Sequence, residues 1–383
     1  MRTLKQNTIY FLVLILSAAF LFLGNRFAVG DFAEEVFDDY DETYRGVVLD
    51  IYSRNDLPGW GGTESGGTEI IFDVRVTHGV RSGDVIRAQQ EVLTFFMVNE
   101  REVSVGDRVM IFYADWSGIY HFAGYQRINY VIILGIAFLV LVLLFARKKG
   151  LNAVVALGFT CMAVIWVFIP AILSGRNIYV TAIIVCVYAV ISTLLIVIGA
   201  NKKSFAAIIG CLGGVFMAAI VMFAMDGLLQ LTGALDSDTE MLLHLRNPVD
   251  LRAIVFAGVV IGAVGAIMDV AMSISSSLWE LKEAGGVSDF ASIVKSGINI
   301  GKDILGTMLN TLILAYLGSS LSLLLLITAH NPVLLMLFNT ELVIVEILRA
   351  LVGSFGMLFA IPLTAVICGW LYTKEADENE NKI

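Results

Sequence analysis

The sequence has few charged residues and few prolines. Of its 383 residues, 15% are charged and 5 are proline, whereas 58% are hydrophobic and the mean hydropathy is +0.83. A soluble domain carries about 25% charged and roughly 45–50% apolar residues. The shortage of charge excludes a disordered chain, and the excess of apolar residues favours a membrane protein over a large soluble enzyme.

Cysteines and catalytic motifs are also scarce. The four cysteines (Cys161, Cys186, Cys211 and Cys368) lie in apolar runs without a CxxC pair, which argues against disulfides and zinc. The only Gly-Lys pair, Gly301-Lys302, lacks the flanking residues of a P-loop, and neither HExxH nor GxSxG occurs. We therefore expect no catalytic residue, no cofactor, no metal and no enzymatic activity.

One segment lacks lysine altogether. Residues 30–128 contain 18 acidic residues and 8 arginines, a net charge of −10, while the whole chain carries −9. Because phosphate binding requires a basic face, this balance excludes nucleic acid as a partner.

Long apolar runs, in contrast, are abundant. A bilayer core about 30 Å thick requires roughly 20 apolar residues per helix, and eight runs are candidates. They are Ile9–Gly24, Tyr130–Ala146, Leu151–Leu173, Ile178–Ala200, Phe205–Leu231, Ala253–Ser276, Ile304–Ala329 and Leu351–Tyr372. Residues 1–28 are either an anchor or a cleavable signal, because Ala28-Val-Gly30 has the small-x-small pattern of a cleavage site.

Lysine positions predict the orientation in the membrane. With the N-terminus in the cytoplasm, eight spans place the tail 374–383 there too, and all ten lysines fall on the cytoplasmic side. We therefore expect a multi-pass plasma-membrane protein whose helical domain covers residues 129–373, with both termini cytoplasmic if the first helix is retained.

The acidic segment, residues 29–128, is expected to be a small all-β domain outside the cytoplasm. Strand-like patterns occur at Tyr44–Tyr52, Glu69–Thr77, Val92–Val98 and Arg108–Tyr113, separated by glycine-containing turns. Five or six short strands suit an OB-like barrel, and an irregular β-domain without closure is the alternative.

Two segments are expected at the membrane surfaces. Residues 277–303 form the longest cytoplasmic loop, in which Val287–Lys302 has the apolar spacing of an interfacial helix. Pro332–Ile347 is apolar but contains charged residues, so it is either a surface helix or a re-entrant segment.

Asp269 is the clearest polar residue within a span. An ionised side chain at mid-helix costs at least roughly 2.5–3.5 kcal/mol, so Asp269 is a candidate site. Ser273 and Ser276 share its helix face, and Thr307 and Asn310 lie at a similar predicted depth on the next helix. We expect Asp269 and Asn310 to pair, either in transport or only to fix the bundle.

Other polar and small residues have structural alternatives. Glu346 and Arg349 are three residues apart and can form an ion pair near the outer end of the last span. The glycines Gly258, Gly262 and Gly265, like Gly210 and Gly214, are expected to pack helices or to line a pore. Pro170 and Pro362 lie within spans and can kink them, and the outer loop 236–244, which has metal-capable side chains, is expected to be solvated.

Several motifs resemble the YibE/F-like family of bacterial membrane proteins. The most specific is Met268-Asp-Val-Ala-Met-Ser273. The others are Asp107-Arg-Val, Gly124-Tyr-Gln-Arg127, Arg147-Lys-Lys-Gly-Leu151, Pro170-Ala-Ile-Leu-Ser-Gly175, Asn339-Thr-Glu341, Arg349-Ala-Leu-Val-Gly353 and Pro362-Leu-Thr-Ala365. The resemblance implies a multi-pass plasma-membrane protein with an N-terminal outer domain, and it assigns no catalytic residue.

Two functions are compatible with these features. The first is a transporter or channel for an ion or small solute without its own ATPase, in which Asp269 binds a cation or carries a proton. The second is a membrane scaffold or sensor whose outer β-domain binds a partner. The expected partners are the lipid bilayer, an unidentified ion or solute, and a second copy of the chain or another membrane protein.

Overall fold

The computed structural model describes residues 2–29, 43–57, 67–79, 81–93, 101–235, 239–240, 242–244, 249–286, 289–329 and 333–380. The chain divides into two compact units, residues 34–144 and residues 1–33 together with 145–383. The division falls inside a long helix that begins at Ile128, the position where the sequence predicts the helical domain to start.

The described part of residues 34–144 contains a closed five-stranded barrel. Its strands are β1 (Thr43–Leu57), β2 (Gly67–His78), β3 (Val85–Leu93), β4 (Arg108–Ala114) and β5 (Ile119–Tyr125). Their order is β1-β2-β3-β5-β4, and β4 closes onto β1. The β3–β5 pair is parallel and the other pairs are antiparallel.

The barrel core follows the alternation of strand side chains. Ile70, Phe72, Val74 and Val76 on β2 are all buried, as expected where every second residue points inward. Of the strand predicted over Val92–Val98, Val92 and Leu93 belong to β3, which begins earlier at Val85, and residues 94–98 lie outside the described residues.

A buried glutamine explains why β3 is hard to locate from the sequence. Gln90 points inward, where its amide donates to the Arg101 carbonyl (3.1 Å) and accepts from the Val103 N–H (2.9 Å). Because both polar ends are satisfied, a residue that reads as exposed occupies a core position. β5 is not among the strands located from the sequence.

The rest of the described chain is mainly helical. The helices are α1 (Arg2–Val29), α2 (Ile128–Ala163), α3 (Ile169–Leu173), α4 (Ile178–Ile198), α5 (Lys202–Leu229), α6 (Leu251–Glu283), α7 (Phe290–Ser319), α8 (Leu321–Ala329), α9 (Leu334–Phe338) and α10 (Glu341–Glu380). Among the described residues, seven helices are long and apolar enough to cross a membrane.

One of these seven covers two of the eight predicted spans. It runs over Ile128–Leu173, and its 46 residues are roughly twice the number that one crossing of a bilayer core requires. Arg147 interrupts it with φ 48° and ψ −123°, a backbone conformation outside the helical region. The break lies in the basic stretch that separates the predicted spans.

Polar side chains mark where several helices begin. Asn177, Asn201 and Asp250 accept hydrogen bonds from the first backbone N–H groups of α4, α5 and α6. Asp289 does the same for α7, accepting from the Ser292 N–H at 3.0 Å. Hydrogen bonds from the Ser292 side chain and backbone lower the pKa of Asp289, so this cap stays charged at neutral pH.

α1 packs against α3, α4 and the turn between α2 and α3. The Phe20 and Tyr188 rings stack with centroids 4.1 Å apart, and the Ser174 hydroxyl donates to the Ala28 carbonyl at 2.6 Å. Tyr10 also donates to the Asn152 side chain at 3.1 Å. The first helix is therefore part of the bundle core.

The structure corrects the connections around α7. The predicted loop 277–303 is largely helical, since α6 extends to Glu283 and α7 begins at Phe290. The helix predicted over Val287–Lys302 is not a separate element, because its residues from Phe290 onward form the first part of α7. Gly297 and Gly301 pack this part against α6 and α10. The single span predicted over Ile304–Ala329 ends at Ser319, where α8 follows.

Residues 332–347 contain two elements. α9 is a short helix, and α10 already begins at Glu341. The Glu341 carboxylate accepts from the Thr232 N–H (2.8 Å), the Thr232 hydroxyl (2.7 Å) and the Gly233 N–H (2.6 Å). It thereby ties the start of α10 to the end of α5.

The core of the bundle depends on close contact between α5 and α10. Gly210 lies against Thr364, and a Cβ built on Gly214 would lie 2.7 Å from the Gly356 carbonyl oxygen. Only glycine permits such an approach of two helix backbones. The packing role expected for Gly210 and Gly214 is therefore the one that the structure gives them.

We predict that Gly214→Ala destabilises the bundle by about 1–3 kcal/mol, because the new methyl group overlaps the rigid Gly356 backbone and the Ile267 side chain. Gly158→Ala is the matched control, since nothing lies within 4 Å of a Cβ at that position. The measurement is thermal unfolding in micelles. Equal unfolding temperatures for the two variants would contradict the prediction.

Candidate intramembrane site

Asp269 lies on an open stripe along α6. Gly258, Gly262, Gly265 and Asp269 are exposed, whereas most of the residues between them are buried or half-buried. Their spacing of four, three and four residues places them on one helix face. A Cβ built on Gly258 or Gly265 meets nothing within 4 Å, so these glycines leave space and do not pack another helix.

The stripe opens into a cavity of ≈ 410 Å³. Asp269, Gly262 and Gly265 form one wall, and residues of α2 and α4 form the others. Among these are two hydroxyl residues, Thr160 on α2 and Thr193 on α4. The cavity is therefore mainly apolar with a few polar groups, as small-ligand sites usually are.

The two threonines share a hydrogen bond across the cavity wall. Their hydroxyl oxygens are 3.3 Å apart, and Thr160 also donates to the Ala156 carbonyl at 3.1 Å. Sequence reasoning missed both residues. Thr160 and Thr193 are separated by 33 positions along the chain, and nothing in their local pattern indicates that they meet.

A π-helical turn adjoins the same cavity. It covers Val164–Phe168, and Val164 lines the cavity. Pro170 follows in the first turn of α3, so the predicted distortion at this proline takes the form of a wider turn before it. Such turns occur often at functional sites of membrane and soluble helices.

The expected pairing of Asp269 with Asn310 is wrong. Among the described residues no hydrogen bond joins the two side chains, and Asn310 does not line the cavity that contains Asp269. Thr307 donates to the Ile304 carbonyl of its own helix at 2.9 Å. In the structure, α6 is rotated so that Asp269 faces α2 and α4. Helical periodicity shows which residues share a face of α6, but it does not show which neighbouring helix that face meets.

Ser275, rather than Ser273 or Ser276, makes the inter-helix contacts near the predicted cytoplasmic end of α6. Its hydroxyl donates to the Lys203 carbonyl at 2.7 Å, and the Tyr372 hydroxyl donates to the Ser275 carbonyl at 3.0 Å. Ser275 is fully buried, whereas Ser273 and Ser276 are half-buried. This serine joins α5, α6 and α10 and has a structural role.

Glu346 and Arg349 form an ion pair one turn along α10. Glu346 keeps one carboxylate oxygen, Oε2, that is buried without a hydrogen-bond partner. The Glu346 side chain also lines a second cavity of ≈ 300 Å³ together with Tyr316 of α7. An unpaired buried carboxylate oxygen is costly, so this position requires an explanation beyond packing.

Tyr316 connects the surroundings of Asp269 and Glu346. Its hydroxyl oxygen lies 3.1 Å from a Cβ built on Gly262, which lines the Asp269 cavity. Its ring lines the Glu346 cavity. Tyr316 therefore lies between the Glu346 cavity and the Gly262 end of the glycine stripe that leads to Asp269, and sequence reasoning did not identify Tyr316.

The structure describes only part of the predicted outer loop 236–244. Residues 236–238 and the side chain of His244 lie outside the described residues. In the part of the chain that the structure describes, no group of three or more His, Cys, Asp or Glu side chains is arranged to hold a metal ion.

We predict that the Glu346–Arg349 pair is coupled. Arg349→Met alone leaves the half-buried carboxylate without its partner and is expected to cost about 1–3 kcal/mol of stability. The double variant Glu346→Gln, Arg349→Met is expected to be less destabilised, because the uncompensated charge is removed. Thermal unfolding of the two single variants and the double variant measures the coupling, and purely additive effects would contradict it.

Comparison with known proteins identifies the helical part of the chain. The family model described as YibE/F-like protein matches residues 134–374. The match includes the Asp269 motif, Glu346 and Arg349, whereas the barrel and the two motifs at residues 107–109 and 124–127 lie outside it. No curated protein and no solved structure matches the chain. Since the match covers more than half of the sequence, the chain belongs to the YibE/F-like family.

Proposed function

We propose that this protein is a transporter or channel for a cation or small solute, without ATP hydrolysis of its own. The observation that carries the proposal is the position of Asp269 in a cavity within a bundle of apolar helices. A carboxylate in such a bundle is costly and requires water, a cation or a proton to compensate its charge. Asp269 is the residue that binds the cation or carries the proton.

The residues that line the cavity beside Asp269 support this proposal. Gly262 and Gly265 present helix backbone to the cavity without side chains, while Thr160 and Thr193 supply hydroxyl oxygens. Oxygen atoms of this kind replace the hydration shell of an ion in membrane pathways. Tyr316 lies beside Gly262 and also lines the Glu346 cavity. The proposed path therefore continues from the Asp269 cavity to the Glu346 cavity.

The proposed setting is the plasma membrane, with both termini in the cytoplasm and the barrel outside. The positions of the lysines support this orientation. The contacts of α1 with α4 and Ser174 support a first helix that is retained, since its removal would expose the surfaces that it covers. The length of Ile128–Leu173 and its break at Arg147 support two separate crossings.

We predict that Asp269→Asn lowers cation flux by about tenfold or more, because the neutral amide cannot compensate a cation or release a proton. The measurement uses proteoliposomes with imposed gradients of H⁺, Na⁺ or K⁺ and an ion-sensitive dye. Tyr316→Phe, which removes only the hydroxyl group, is expected to lower the flux of the same ion.

Asp303→Asn and Tyr130→Phe are the matched controls for charge and hydroxyl loss. Asp303 is exposed on α7, and Tyr130 is exposed on α2 in the other unit, so neither change should affect flux. Flux of every tested ion that is indistinguishable between wild type and Asp269→Asn would remove the proposed role of Asp269.

A second function is favoured by a cleft on the barrel. We infer that the barrel is of OB type and that the protein is a membrane scaffold or sensor, in which the bundle anchors a binding domain. The strand order β1-β2-β3-β5-β4 supports the OB assignment. A cleft of ≈ 880 Å³ on the barrel, lined by β3, β4 and β5, supports a binding role.

Water access to Asp269 separates the two functions. In nanodiscs, Asp269→Cys in a Cys161→Ala background is expected to react with a charged thiol reagent if the cavity is a hydrated pathway. Cys161 is the exposed native thiol, whereas Cys186, Cys211 and Cys368 are buried. Modification is read as a mass increase.

Two control chains define the limits of that measurement. The Cys161→Ala background gives the reactivity of the buried thiols, and Leu134→Cys reports an exposed position on an apolar helix surface. An Asp269→Cys chain that reacts no faster than Leu134→Cys would contradict transport and favour the scaffold or sensor.

A further inference from the structure

The cleft on the barrel combines exposed aromatic rings with planar polar groups. Its walls come from β3, β4 and β5 and from the turn between β4 and β5. The ≈ 880 Å³ volume falls in the range of small-ligand sites. All of the residues that line the cleft belong to the unit 34–144.

Trp116 presents the largest aromatic surface of the cleft. Its side chain is 81% exposed, and its ring stacks on His121 with centroids 5.0 Å apart and an interplanar angle of 24°. The Ser117 hydroxyl lies 2.8 Å from His121 Nε2 and fixes the imidazole. Gly118, with φ +70°, completes the tight turn that holds Trp116. A large apolar ring is therefore displayed in a defined place.

The wall of the cleft formed by β3, which pairs with β5 at Gln89 and His121, carries amide and carboxylate groups. The Gln89 amide donates to Glu69 (2.7 Å) and to Glu91 (2.9 Å), which holds their oxygens in place. Gln90 points into the barrel and is bonded to the Arg101 carbonyl, and the Arg101 guanidinium is paired with Asp107 (3.2 Å), so the segment that carries this guanidinium is also fixed. Gln89 and Glu91 therefore present acceptor oxygens, and Arg101 presents N–H donors.

The charge of the domain selects among ligands that stack on aromatic rings. Nucleic-acid bases stack on exposed aromatic residues, but their phosphates require a basic groove. The segment 30–128 has a net charge of −10 and no lysine, which disfavours polyanions, although Arg101 and Arg127 line the cleft itself. A neutral oligosaccharide satisfies all of these features, since its sugar rings have an apolar face for Trp116 and adjacent hydroxyl groups for the polar wall.

We propose that this cleft binds a neutral oligosaccharide, with Trp116 as the stacking platform and Gln89, Glu91 and Arg101 as hydrogen-bonding groups. The proposal rests on the second proposed function, because it names the ligand class of the barrel as a binding domain. It does not depend on transport through the bundle.

The test is calorimetric titration of the full chain with a neutral tetrasaccharide of N-acetylglucosamine. The chain is held in lipid nanodiscs, because glycoside detergents would compete for a sugar site. We expect the tetrasaccharide to bind to the wild type and Trp116→Ala to weaken binding by about tenfold or more, as expected for loss of an aromatic stacking contact. Trp116→Phe keeps an aromatic face and is expected to restore most of the affinity.

Tyr52→Ala is the matched control variant. Tyr52 is 66% exposed on β1 and packs under the Arg87 guanidinium (4.0 Å to the ring centroid), but it does not line the cleft. Its removal is expected to leave the affinity unchanged. A sulfated tetrasaccharide derived from heparin tests the charge argument and is expected to bind more weakly than the neutral one.

Three outcomes would overturn the proposal: no binding of the neutral tetrasaccharide to wild type, equal affinity of wild type and Trp116→Ala, or tighter binding of the sulfated sugar. Failure here is distinguishable from failure of the scaffold or sensor function, because thiol labelling at position 269 tests that function without any sugar.

Discussion

The close approach of α5 and α10 is the contact on which the helical bundle depends. Gly210 and Gly214 bring the two backbones together, and Ile267 of α6 packs beside Gly214 and Gly356. Among helices surrounded by lipid, apolar burial gives little preference for one neighbour over another, so close packing and inter-helix hydrogen bonds decide the arrangement. The contact between α5 and α10 therefore fixes how α6 is rotated within the bundle.

That rotation gives the glycines of α6 a different role from those of α5. The face with Ile267 and Ile274 is buried against α5, α7 and α10. The face with Gly258, Gly262, Gly265 and Asp269 consequently points away from this core. The same residue type thus closes the space between two helices at one place and leaves space at another, depending only on which face meets a neighbour.

Much of the helical architecture was predictable, because each span requires about 20 apolar residues and such runs can be found in the sequence. Arg147-Lys-Lys correctly marked the break in α2. The loop at residues 277–303 was not predictable in the same way, because Gly297 and Gly301 reveal their packing role only when α10 is present. Hydropathy describes one segment at a time, and it does not identify the neighbour of a helix face.

The site was predictable to the same limited extent. The cost of a charge within a span identifies Asp269 from the sequence alone. Thr160 and Thr193, which line the same cavity, come from two other helices, and their proximity to Asp269 depends on the tertiary fold. Asn310 was predicted as the partner of Asp269 because the two residues have a similar predicted depth in the membrane. Depth does not determine how α6 is rotated about its axis, and in the structure this rotation turns Asp269 toward α2 and α4.

The barrel obeys a different constraint from the bundle. Its core is closed by strand pairing and contains satisfied polar groups such as Gln90, whereas none of its described charged side chains is buried. An acidic, lysine-free surface repels phosphate and sulfate groups but does not affect a neutral ligand. An aromatic ring exposed on such a surface gains most from a partner that is itself uncharged, since stacking then requires no charged group to lose its hydration. The acidity of the domain and the exposure of Trp116 are therefore both consistent with the proposed binding of a neutral ligand.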